Sequence, residues 1–370
     1  MKQKTRVGIR GATGHFATNL LARMRKCDDI VPAVGIVRDD PGLWRTIEAI
    51  TGAPAAKRKA LRDFYPKLMV LESEANGVRD RVREINATQS ARGGGFEFVP
   101  ACDFDPKAEC DVLVDLTRGA KKPVEVQYES FARERPVIVT LDTGKEETLR
   151  GRLIAPPFVE SGRDGNLWRL GDCVLSAVFC LLSKVKENLG GRITRMGTTV
   201  FCILDSKIND NFILPERAHA LYLRAPPADL VESCLKWDME RIFSGSEVEK
   251  PVIVQAHGLN YYALIIRLSV SGAEVARNDV LEMLSQGPHV LLAPESVTST
   301  FDIDFGVRRL LGTVGDDLPP FIPFSNSVEA ERAREGTNIT IRAAVRYADV
   351  GPVMCLDAVR ALSRSSSCKA

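Results

Sequence analysis

Long apolar runs are missing from this chain. No stretch approaches the roughly 18 consecutive apolar residues of a membrane-spanning helix, so no such span is expected. An excess of either charge is missing too: 50 Lys and Arg stand against 48 Asp and Glu, a formal net charge of +2. Basic residues alternate with acidic ones, so no stripe for nucleic acid is expected. There is no Cys-x-x-Cys pair; nine cysteines are scattered without a repeated spacing. Cys102 and Cys110 have no neighbouring histidine, so no metal site is expected. Internal repeats are absent, and Met1-Lys2-Gln3-Lys4 leads straight into a strand with no signal-like segment. What remains is a chain of 370 residues, long enough for two domains. It is expected to be cytoplasmic, with reduced thiols and neither nucleic-acid nor membrane partners.

Arg6-Val7-Gly8-Ile9-Arg10 reads as a short buried strand, and an amphipathic helix runs to about Met24. A second strand is read at 33–37, with Pro32 tolerated before it because a strand's first residue does without a ladder N–H. This is the opening βαβ unit of a doubly wound, Rossmann-type α/β sheet. Within it, Gly11-x-x-Gly14-x-x-Ala17 is a dinucleotide fingerprint placed between strand and helix. Gly11 permits the tight turn, Gly14 admits a pyrophosphate, and Ala17 lets helix and sheet pack closely. Ala12 and Thr13 complete the loop. Arg38, at the end of the second strand, suits the 2′-phosphate of NADP, while Asp39 and Asp40 suit the ribose of NAD. NADP is the mild preference, with NAD retained.

Residues 41–100 read as polar and helical until a strand at 96–99. Strands follow at 111–116 and 136–140, the first ending in Thr117-Arg118-Gly119, a loop assigned to the cofactor site. Beyond Gly171, strands at 196–204, 252–254 and 261–270 suggest an α+β domain on a mainly antiparallel sheet. A helix is read at 278–285, capped by Asn278 or Ser271, and another at 351–363. The expected domains are 1–171 for the dinucleotide, completed by a helix at 352–365, and 172–350 for catalysis and oligomerisation.

Leu167 to Cys173 puts a cysteine at the end of an apolar strand, followed at once by a helix-compatible run through Val185. A thiol in the first turn of a helix stands at the positive end of the backbone dipole, which favours thiolate. A thiolate so placed adds to a carbonyl carbon, which makes Cys173 the candidate catalytic residue. Cys180, further along the same run, reads as a small core residue.

With these residues placed, the chain resembles the archaeal-type branch of the glyceraldehyde-3-phosphate dehydrogenases. The match is best over 168–184, over 290–303 with Val297-Thr298-Ser299-Thr300, and from Ala348-Asp349-Val350-Gly351-Pro352 through Asp357-Ala358-Val359-Arg360-Ala361-Leu362. Gly11-Ala12-Thr13-Gly14 is closer to the aspartate-semialdehyde dehydrogenases and N-acetyl-glutamyl-phosphate reductases, which share the architecture. The resemblance implies attack of Cys173 on an aldehyde, hydride transfer to a nicotinamide and a thioester intermediate. Run backwards, it implies reduction of an activated acyl group. It also implies a homo-oligomer, a tetramer or dimer.

Departures from that pattern concern function. The family's Ser-Cys-Asn-Thr-Thr is here Asp172-Cys173-Val174-Leu175-Ser176. Asp172 raises the thiol pKa by like charge unless it points away. The arginines that take the family's substrate phosphate fall at Phe201-Cys202-Ile203, which argues against a triose phosphate. The catalytic histidine falls near Pro226. His219 is the candidate for a displaced base, with His257 second, and Arg217 and Arg224 are candidates for one anion contact. His15 is expected to face cofactor or solvent, and His289 to be an inert surface residue. Three functions stay open: an NAD(P)-dependent aldehyde dehydrogenase or acyl reductase acting on a small or carrier-bound substrate, a degenerate nucleotide-binding scaffold, and a non-redox cysteine acyltransferase.

Overall fold

A computed structural model describes residues 4–73, 77–91, 95–117, 122–140, 151–160, 165–202, 228–255, 262–299, 302–303 and 318–367. Arg118, Gly119, Ile203, Arg217, His219, Arg224, Pro226 and His257 lie outside the described residues. The chain opens with β1 (Thr5–Arg10), α1 (His15–Met24), β2 (Ile30–Arg38), α2 (Pro41–Thr51) and α3 (Ala55–Phe64). It continues through β3 (Leu68–Glu72), α4 (Val78–Ala91), β4 (Glu97–Pro100), α5 (Pro106–Glu109), β5 (Val112–Asp115), α6 (Val124–Gln127) and α7 (Glu129–Ala132). Then come β6 (Val137–Thr140), β7 (Arg152–Ala155), β8 (Phe158–Val159), β9 (Leu167–Leu170) and α8 (Cys173–Leu189). Among the described residues these strands form a nine-stranded sheet in the order β4-β3-β2-β1-β5-β6-β9-β7-β8, parallel except for β8. The doubly wound α/β reading is correct.

Two sequence expectations here need correction. β2 starts at Ile30, so Pro32 lies inside the strand rather than before it. The ladder absorbs its missing N–H through an irregularity: Val7 pairs with Pro32, but Gly8 pairs with Val34. Residues 41–100 are also not wholly helical, because β3 puts Met69, Val70 and Leu71 in the core. Its five residues are too few for periodicity to separate from the polar helices on either side.

The second part comprises β10 (Ile193–Cys202), α9 (Ala228–Ile242), β11 (Glu247–Val248), β12 (Val252–Gln255), β13 (Tyr262–Ser271) and α10 (Arg277–Ser285). β14 (Phe321–Pro323), β15 (Glu329–Ala333), β16 (Gly336–Val345) and α11 (Tyr347–Ser367) complete it. Here β13 runs antiparallel to both β10 and β16, while β11 and β12 join β10 in parallel, giving a mixed, mainly antiparallel sheet. On β13, buried Tyr262, Leu264, Ile266, Leu268 and Val270 alternate with more exposed residues, as one covered face requires.

The helix after Cys173 joins the two sheets. Every residue of α8 from Val174 to Leu182 is buried, the signature of a helix surrounded by protein. The α10 cap differs from expectation: Ala276 is the N-cap, and Asp279 three residues on accepts its N–H at 3.0 Å. α11 begins four residues earlier than read and lies along α1, where Gly351 leaves room for the Phe16 ring and Arg23 pairs with Asp349 at 2.5 Å. Among the described residues no helix is long and apolar enough to cross a membrane.

Candidate active site

Parallel strands carry their binding loops at their carboxyl ends, and here the ends of β1, β2 and β5 meet. Gly11 adopts φ +82, a conformation that disfavours any side chain. Its N–H donates to Ile36 O at 2.8 Å, and Gly14 N–H closes the turn on Gly11 O at 3.0 Å. A Cβ on Gly11 would stand 3.2 Å from Thr117 Cγ2, so the loops after β1 and β5 abut at this glycine. Ala12 and Ala17 are fully buried, and Thr13 lies near the start of α2 at Gly42. No side chain caps α1, which leaves its N-terminal dipole to an anion. Gly11, Ala12, Thr13, Gly14, Ala17, Arg38 and Thr117 thus share one region.

At the end of β2 the acids that favoured NAD are committed elsewhere. Asp39 accepts from Arg81 Nε at 2.6 Å and Nη2 at 3.2 Å, and from Trp44 Nε1 at 2.8 Å. The Arg81 bonds hold its carboxyl below the ordinary range. Asp40 caps α2, accepting from Leu43 N at 2.9 Å. The side chain of exposed Arg38 makes no hydrogen bond or ion pair among the described residues, while its carbonyl accepts from Asp40 N–H at 3.0 Å.

Cys173 is not the end of a strand. β9 stops at Leu170, and Cys173 is the first residue of α8, half-buried and outside any disulfide. Asp172 is its N-cap: one oxygen accepts from Val174 N at 2.7 Å and Leu175 N at 2.8 Å. The carboxylate therefore occupies the helix start that would otherwise stabilise a thiolate. Burial pushes the Asp172 carboxyl up, and the charge of Asp238 adds to it, against the two N–H bonds and Arg169. Cys180 is buried, and burial pushes its thiol up, as a core residue requires. His289 is a correction. It is half-buried with φ 58, and its Nε2 lies 2.5 Å from Asp357 Oδ2 on α11.

Two charged groups escaped the sequence reading. Arg169 on β9 and Asp238 on α9 form a bidentate pair at 2.8 and 2.5 Å, both about as buried as the apolar core. Arg10 sits beneath the Gly11 turn with Glu72 and Asp115. The signal was available: Arg10, Glu72 and Asp115 are each the last residue of a strand, directly after an apolar run.

This architecture, a doubly wound nucleotide-type sheet joined by a buried helix to a mixed sheet, is a fold like that of solved aspartate semialdehyde dehydrogenases. The chain is similar to two crystal structures of aspartate semialdehyde dehydrogenase II of Vibrio cholerae, the second of them complexed with ASA. It has 12% identity to each, with TM-scores of 0.60 and 0.59 over 98% and 97% of this chain and 99% and 98% of theirs. It is likewise similar to aspartate semialdehyde dehydrogenase with NADP from Candida albicans, at 12% identity and TM-score 0.58 over 99% of both chains. No protein-family model and no curated protein sequence matches the chain. At this identity the likeness establishes the fold, including the architecture that Gly11-Ala12-Thr13-Gly14 suggested.

Proposed function

We propose that the chain is an NAD(P)-dependent oxidoreductase that acts on an aldehyde or activated acyl group through Cys173. One observation carries the reading. Cys173 follows β9 on the same strand-end edge as the Gly11 loop, three strands from β1 in the order β1-β5-β6-β9. That offset is about 14 Å across the strands, which suits a dinucleotide laid along the edge. Cys173 Sγ adds to the carbonyl carbon, the π pair moves to oxygen, and loss of hydride from the thiohemiacetal leaves a thioester. A bound nicotinamide supplies the hydride acceptor. The solved structures with NADP and with ASA support this class, and the Arg38 side chain, without a partner among the described residues, supports NADP over NAD.

The uncharged Phe201-Cys202 segment supports a substrate other than a triose phosphate, with Arg217 and Arg224 as one anion contact and His219 as the base. Descent from the archaeal-type branch rests on 168–184, 290–303 and 348–362. A cytoplasmic homo-oligomer completes the reading. Cys173→Ser should leave nucleotide binding intact and lower turnover by roughly 10³-fold or more. Turnover that survives this change, or survives alkylation of Cys173, sinks the mechanism. The Asp172 cap favours a second reading, a protein that binds the nucleotide without redox turnover.

A further inference from the structure

Arg10 is 2% exposed at the end of β1, directly before the Gly11 turn. Its Nε donates to Glu72 at 2.8 Å, and its Nη1 to Asp115 Oδ2 at 3.0 Å. Nη2 donates to Lys122 O at 3.2 Å and to Gln127 Oε1 at 3.0 Å. Tyr128 Oη donates to Glu72 at 2.9 Å. The other oxygen of Asp115 accepts from Thr117 N at 2.9 Å and Thr117 Oγ1 at 2.6 Å. Thr117 is the residue against which side-chain-free Gly11 rests.

A buried ion pair of this kind is weak evidence for stability, since well-packed apolar residues of similar volume often serve as well. What an apolar residue at position 10 would not supply is direction. The guanidinium is a planar fork whose bonds fix the relative positions of the groups it holds. It reaches Asp115, and through it Thr117, at the start of the segment that leaves β5, and Lys122 O and Gln127 where that segment returns in α6. Both ends of a binding loop are thereby tied to the strand that carries the other loop.

We propose that Arg10 is a positioning residue for the dinucleotide site, holding Thr117 on one side and Lys122 and Gln127 on the other, the described ends of the β5–α6 connection, in place beside the Gly11 turn before any nucleotide arrives. The inference rests on the nucleotide reading above, and its tests separate the two. Arg10→Lys keeps the charge but loses the fork, and Arg10→Met loses both. Binding of NADP and NAD is measured by calorimetry on protein shown to be folded by near-UV circular dichroism. Dissociation constants should rise about tenfold or more for both nucleotides with either variant. Tyr128→Phe, which keeps the ring's packing against Phe104 and removes the hydroxyl that donates to Glu72, should change them less than twofold. In the nucleotide-free protein, trypsin should cut faster after Arg118 and Lys121 in the Arg10 variants than in the unchanged chain.

A purely structural Arg10 would lower the melting temperature and leave both the affinity of folded protein and this cleavage alone; that result overturns the proposal. If the unchanged protein binds neither nucleotide, the nucleotide reading falls, while faster cleavage still establishes Arg10's hold on the segment. Should neither Arg10 variant fold, Gln127→Ala removes one acceptor of the same guanidinium. It should give the same pattern at roughly threefold, and its absence overturns the proposal.

Discussion

At the carboxyl end of β1, the start of α1 has no side-chain cap, Gly11 turns at φ +82, and the exposed Arg38 side chain has no partner among the described residues. At the β9 end, the start of α8 is already filled by the carboxylate of Asp172, and apolar Val174 follows the thiol. The ends share an edge and a strand-turn-helix plan, yet one is open to an anion and the other carries its own. A helix start can be satisfied by a ligand or by a cap, and the choice decides what the turn can do. Capping α8 with an acid stabilises the helix, by about 1 kcal/mol for such caps, at the expense of thiolate character in the next residue.

The buried Arg169–Asp238 pair ties α9 to β9, the strand that leads into the Cys173 turn, so the largest effect is expected there. Asp238→Asn leaves a buried guanidinium without its counter-charge, and stability should fall by about 3–5 kcal/mol. Urea denaturation checks this. A loss under 1 kcal/mol would mean that the β9 end tolerates its charges loosely and that the contrast between the two ends is overstated.

Asp172→Asn tests the contrast itself. Asparagine still caps the helix, so stability should change by about 1 kcal/mol or less, while the thiol loses a neighbouring negative charge. Alkylation of Cys173 by iodoacetamide at pH 7 should speed up by roughly threefold to tenfold, and Cys173→Ser should abolish the gain. The pH dependence has a definite sign. Burial raises the Asp172 carboxyl in the folded chain, so between its ordinary value and the raised one the native state binds more protons than the unfolded. Stability contributed by this group therefore falls as pH rises through that window, and Asp172→Asn should remove that slope. An unchanged alkylation rate would show that Asp172 does not restrain the thiol.

The opening βαβ unit, the Gly11 turn and the mainly antiparallel character of the second sheet were legible in the sequence because glycine spacing and apolar alternation are local signals, but β14, β15 and β16 of that sheet were not read. β3 was not, since a five-residue strand between polar helices carries too short a pattern. Nor were the partners of buried charges. Arg10 meets Glu72 and Asp115 across 62 and 105 residues of chain, and Arg169 meets Asp238 across 69. Such pairings are set by strand order rather than by spacing. The same holds for His289, whose partner Asp357 lies 68 residues on, in a stretch singled out by resemblance without a reason. At Asp172 the residue was noticed and its direction was not: a carboxylate before a thiol reads as repulsion until the two amides it caps are seen.

The smallest expected effect lies at the far end of the cofactor site. Asp39 and Asp40 read as ribose acceptors, but Arg81 with Trp44 and the cap of α2 hold them, leaving Arg38 at the end of β2 with no side-chain partner among the described residues. Because Arg38 is exposed, its pull on a 2′-phosphate is screened by salt. Arg38→Ala should raise the NADP dissociation constant by about fivefold, roughly 1 kcal/mol, and leave that of NAD unchanged. At high ionic strength the wild-type preference should shrink toward the variant's. Equal weakening of both cofactors would move Arg38 from the 2′-phosphate to the shared pyrophosphate. A gain for NAD in Asp39→Asn would confirm that Asp39 serves Arg81 and not a ribose; a loss for NAD alone would return Asp39 to the role its place at the end of β2 first suggested.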